Sequence, residues 1–128
     1  MIALDTSILV DALTGRCRSG PALREAILTG ERLLVPSLVL YEFRRGPRTP
    51  DELSTQEALV PNESALPFGV AEAELAARLY EQVRRGRGRE VDLAIAATAM
   101  TQGATLWTLN RRDFEDVPGL ELYDSPVL

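Results

Sequence analysis

Apolar residues fall in short runs along this chain, each bounded by a residue that can cap or turn the backbone. Residues 1–4 predict a short buried strand ending at Asp5. Thr6 or Ser7 is suited to cap a helix through Leu13, because a hydroxyl there can accept a free backbone N–H. Residues 15–20 read as a loop, and Pro21 suits the first turn of a helix to about Thr29, stopped by Gly30. Residues 33–35 predict a second short strand. Pro36 and Ser37 open a helix closed by Gly46 and Pro47, and Pro50 and Asp51 start another that ends near Val60. Residues 65–67 predict a short edge strand. Residues 70–85 predict an amphipathic helix with Val70, Ala73, Ala77, Tyr80 and Val83 near one stripe. Residues 84–89 form an arginine- and glycine-rich connection. Residues 91–102 are almost wholly apolar and alanine-rich, which predicts a central, buried helix capped by Gly103. Residues 105–109 predict a strand, 110–119 a turn region and 120–123 a last strand.

Short apolar strands alternating with helices predict an α/β protein: a short parallel sheet with helices on both faces, in three α/β/α layers. The 128 residues predict one domain spanning 1–128, long enough to bury about two-thirds of its unfolded surface. No apolar run approaches the roughly 20 residues of a membrane span. Apolar periodicity from Ile2 leaves no room for a signal peptide. A single cysteine, Cys17, excludes an internal disulfide and predicts a small, partly buried side chain. Together these features predict a cytoplasmic protein with no membrane contact.

Chemistry enters through what is missing. The chain has no histidine, so it can neither use an imidazole base nor offer imidazole to zinc. Asp5, Glu42, Asp92 and Asp113 each stand beside an apolar run. Sites in parallel sheets form beyond the carboxyl ends of the strands. Asp5 follows the first strand, Asp113 follows the 105–109 strand, and Glu42 and Asp92 lie in helices, so all four can open on one crevice. Two like charges about 5 Å apart repel by about 3 kcal/mol at an effective dielectric near 20. Converging acids therefore neutralise themselves by raised pKa unless a cation sits among them; arginine is one candidate and a metal the other, and oxygen donors suit Mg²⁺ or Mn²⁺. Such an ion can orient a phosphate and activate water, so a phosphodiester can be cut without a protein nucleophile.

Each acid also has an ordinary explanation. Asp5 and Asp92 could cap helices, Asp113 could make an Asx-turn, and Glu42 could be solvated. Against this, Asp92 heads the run Leu93-Ala94-Ile95-Ala96-Ala97, where an unpaired charge is costly. Ser7, Thr108 and Asn110 lie close in sequence to Asp5 and Asp113 and could orient carboxylates, although capping explains them equally. Asp11 reads as a surface residue. The net charge of −5 is unusual for a nucleic-acid binder, yet all 14 basic residues are arginine, the side chain best shaped for phosphate. Arg84, Arg85, Arg87 and Arg89 form the densest basic run, read as a solvated loop or as a rim guiding phosphates.

Four stretches resemble the PIN-domain nucleases, and among them the small VapC-like toxins of toxin–antitoxin pairs: residues 2–7, 37–45, 92–99 and 108–114. The resemblance covers nearly the whole chain. It implies that Asp5, Glu42, Asp92 and Asp113 are the metal-site acids and that Ser7, Thr108 and Asn110 support them. It further implies an Mg²⁺- or Mn²⁺-dependent endoribonuclease, a homodimer, and inhibition by a cognate antitoxin. Val91 departs from the family pattern, which places a polar residue before the third acid. Two other readings stand beside this one: a metal-dependent phosphohydrolase of a small phosphate ester, and a non-catalytic PIN-like RNA-binding module. Ser7 counts against an aspartyl-phosphate phosphatase, which needs a second aspartate at that position. A dinucleotide-binding domain lacks its glycine signature here.

Overall fold

The computed structural model describes residues 1–126. Three strands form one parallel sheet in the order β2-β1-β3: β1 (Ile2–Leu4), β2 (Leu33–Leu34) and β3 (Thr105–Trp107). In register, Ile2 faces Leu33 on one side and Thr105 on the other, and Leu4 faces Trp107. Every residue of central β1 is buried, which explains a run with no polar alternation. Six helices connect the strands: α1 (Thr6–Leu13), α2 (Gly20–Leu28), α3 (Ser37–Arg45), α4 (Pro50–Leu59), α5 (Val70–Gln82) and α6 (Glu90–Thr101). They cover the sheet as a three-layer α/β/α fold. No helix among the described residues is long and apolar enough to cross a membrane.

Helix α6 is the central helix its composition predicts. Leu93 through Ala99 are all buried, and the alanines let neighbouring elements pack closely on every side. Its neighbour α5 differs from expectation in phase. The inward side carries Glu72, Leu75, Ala76, Leu79 and Val83, while Val70 is 78% exposed and Ala73 and Ala77 face solvent. Glu72 can sit inward because its Oε1 accepts the Gly69 N–H at 2.9 Å. The helix stops at Gln82 rather than Arg85, and Val83 is already extended. Beyond it the chain folds back over Tyr80 so closely that a Cβ on Gly86 would lie 2.6 Å from the ring.

The strands are shorter than the apolar runs suggest. Residues 65–67 and 120–123 contribute only single bridges, Pro36 to Leu66 and Leu106 to Leu122. Residues 108 and 109 leave β3 because their polar groups serve the site described below. Cys17 is exposed rather than partly buried, in the loop between α1 and α2.

Candidate active site

The strand order places β1 between neighbours reached by opposite crossovers, and a crevice opens where the two connections part. Asp5 leaves the end of β1 there, and Thr108 leaves the end of β3 beside it. The cavity measures about 760 Å³, and Asp5, Glu42, Asp92 and Asp113 all line it. The four acids that sequence reasoning singled out are therefore brought together from β1, α3, α6 and the turn after β3.

Asp5 is the most tightly held, at 4% exposure. It occupies the position before α1 but caps nothing. Instead its Oδ2 accepts two hydroxyls, from Ser7 at 2.9 Å and from Thr108 at 2.6 Å. Each hydroxyl has one proton to give, and backbone amides direct it. Leu109 N–H donates to Ser7 Oγ and Asn110 N–H donates to Thr108 Oγ1, both at 2.9 Å. Two amides thus orient two hydroxyls onto one oxygen of Asp5. Neither Thr6 nor Ser7 acts as a helix cap. Thr6, which sequence reasoning read only as a cap, donates its hydroxyl to Glu42 Oε1 at 2.6 Å. That bond ties α1 to α3 across the crevice. Asn110 lines the cavity, but its backbone N–H rather than its side-chain amide makes the supporting bond.

Asp92 stands at the third position of α6 and makes no capping bond. Its carboxyl is pushed up from 3.8 to about 6. Burial is the largest cause, followed by the negative charges of Asp5, Asp113 and Glu42, with Arg89 acting in the opposite sense. Asp113 is exposed in a tight turn, Arg111–Asp113. Asp11, read as a surface residue, also lines the cavity.

Arg89 was not separable from its neighbours by sequence. It sits just before α6 and grips the turn that carries Asp113. Its guanidinium forks onto Asp116 at 2.9 and 2.6 Å and also donates to the Asp113 carbonyl at 2.8 Å. The pairing holds Asp116 below the usual carboxylate range. Arg84, Arg85 and Arg87 are exposed and line no part of this cavity.

The donors facing the cavity are oxygens. Among the described residues, no three acidic or cysteine side chains stand close enough together to hold a metal ion by themselves. Oxygen donors of this kind suit a hard divalent ion that keeps part of its water shell, and Asp5, Asp113 and Glu42 add to burial in pushing Asp92 upward, which a cation among them would relieve.

A family model for the PIN domain matches residues 2–120, and the chain belongs to that family. It is 35% identical to Ribonuclease VapC19 of Mycobacterium tuberculosis, over 94% of this chain and 98% of that one. It is 30% identical to Ribonuclease VapC of Rickettsia bellii, over 98% and 97%. Its fold matches VapBC2 of Rickettsia felis, solved bound to a promoter DNA fragment, with a TM-score of 0.78 at 25% identity, covering 96% and 98%.

Proposed function

We propose that this protein is a divalent-cation-dependent endoribonuclease and the toxin of a toxin–antitoxin pair. The observation that carries the reading is four carboxylates from separate elements round one crevice, with Asp92 raised to about 6 by burial and by the others. Relatives named as ribonucleases along nearly their whole length support the activity. Structural neighbours described as VapBC complexes support a protein partner, an antitoxin that blocks cleavage.

Asp5, Glu42, Asp92 and Asp113 would hold Mg²⁺ or Mn²⁺, which when bound supplies charge neutralisation for the phosphate and activation of a water. The chain's own contribution is position. Ser7 and Thr108 fix the Asp5 carboxylate, Thr6 steadies Glu42, and Arg89 sets where Asp113 stands relative to Asp92. Without a cation the gathered acids repel a phosphodiester, so RNA binding and cation binding are coupled. The protein acts in the cytoplasm as a homodimer. The partly exposed Phe68 and Tyr80, which line an apolar groove between α5 and α6, support self-association.

The test is cleavage of labelled RNA by protein freed of any partner, beside hydrolysis of a generic phosphate ester, with Mg²⁺, Mn²⁺ or chelator. RNA cleavage should need the cation. It should fall at least about 100-fold in Asp5→Asn, equivalent to about 3 kcal/mol of barrier, with the fold retained. Ester hydrolysis without RNA cleavage, or cleavage that survives chelation, overturns the reading.

A further inference from the structure

The wall of the cavity opposite charge to the acids is built by the loop after α1. Arg16 and Arg18 line the same cavity as the four carboxylates, and both are exposed. Neither side chain has an ion-pair or hydrogen-bond partner among the described residues, although carboxylates share the cavity with them. Opposite charges therefore face one space without neutralising each other.

The loop that carries them is fastened. Thr14 donates both its N–H and its hydroxyl to the Val10 carbonyl, at 3.0 and 2.7 Å. Cys17 N–H donates to the Thr14 carbonyl at 3.0 Å, and Ser19 donates its hydroxyl to Asp11 at the cavity wall. Gly15 and Cys17 both have positive φ, 58° and 52°, and Cys17 is the one non-glycine residue described with that conformation. Two left-handed residues alternate with the two arginines, so the backbone turns sharply on either side of Arg16.

We infer that Arg16 and Arg18 are a phosphate-binding rim for single-stranded RNA, contacting backbone phosphates next to the one held at the acids. The inference rests on the ribonuclease reading of the same site. Guanidinium forks match phosphate oxygens, and a polyanion lying across this cavity meets free arginines on one side and needs a cation on the other. An acidic protein segment is the less favoured occupant, because it lacks a tetrahedral anion to share with a cation at the carboxylates.

The experiment measures the affinity of a single-stranded RNA oligonucleotide over a salt series, with Ca²⁺ replacing Mg²⁺ to slow cleavage, alongside cleavage kinetics in Mg²⁺. Wild type is compared with Arg16→Gln, Arg18→Gln, the double variant, and Arg87→Gln as a charge-matched control away from the cavity. Each rim substitution should flatten the slope of log affinity against log salt by about 0.7. Each should raise KM about tenfold, with kcat changed much less. Arg87→Gln should alter neither. Wild type that cleaves RNA while the rim variants keep its salt slope overturns the rim and leaves the ribonuclease reading standing. Wild type that neither binds nor cleaves RNA removes both. Rim variants that lose an acidic protein partner but bind RNA as wild type does also overturn the proposal.

Discussion

At Asp5 a carboxylate is nearly removed from water, yet the groups that hold it are neutral hydroxyls rather than a cation. Thr108 does most to hold it: its Oγ1 lies 2.6 Å from Asp5 Oδ2 and accepts the Asn110 N–H as well. Thr108→Val keeps the shape and removes both bonds. We expect cation affinity to fall about 10–100-fold, as for other residues that orient a metal ligand, with kcat largely recovered at saturating cation. Titration of activity against Mg²⁺ checks this, and an unchanged half-saturation point contradicts it. The residue types of the site were legible in the sequence, but not all of their bonds. Asp5 with Ser7 is a local pair, whereas Thr6 meets Glu42 across 36 positions, and nothing in either residue's neighbourhood signals the other.

At the scale of elements, the site depends on how the 110–119 turn is fastened to the start of α6. The Arg89 to Asp116 fork does this, with a further bond to the Asp113 carbonyl. The pair lies near the surface, where its contribution to stability is about 1 kcal/mol or less. Its contribution to geometry is larger, because an acid displaced by about 1 Å can cost two orders of magnitude in rate. Arg89→Gln should therefore lower kcat by about tenfold or more while shifting Tm little. Thermal melts run beside single-turnover cleavage separate the two effects, and a kcat equal to wild type would show that the turn holds its place unaided.

The same scale explains which elements the sequence revealed. The helices and the parallel sheet were readable because runs such as 93–99 are apolar throughout and glycine or proline ends most segments. The phase of α5 was not. Val70 opens α5 in an exposed position, and Glu72 is turned inward by a backbone amide rather than by hydrophobicity. Residues 108–109 and 120–123 carry strand-like composition, but their backbone groups go to hydroxyls or to one bridge instead of an extended ladder. Among the clustered arginines, only the position of Asp116 distinguishes Arg89, and that pairing spans 27 residues.

For the whole molecule, the acids make folding sensitive to pH and cation. Between 3.8 and about 6 the folded chain keeps a proton on Asp92 that the unfolded chain has released. The unfolded state then binds fewer protons, so stability of the cation-free protein falls as pH rises through that window and levels off above it. Asp92→Asn should flatten the fall and raise Tm at neutral pH. Added Mg²⁺ at a hundredfold excess over its Kd should stabilise the wild type by about 2.7 kcal/mol, more strongly above the Asp92 transition than below it. Denaturant melts across pH, with and without chelator, measure all three. A cation-free stability that climbs through the same window would mean Asp92 is not burdened by its neighbours.

Ser7 and Thr108 meet across 101 positions, through strands of only three residues each. A nascent chain that has not yet released β3 from the ribosome lacks the clamp on Asp5 and the turn bearing Asp113. Hydrolytic competence thus waits until residues 105–113 have paired with β1, however early the other acids are made.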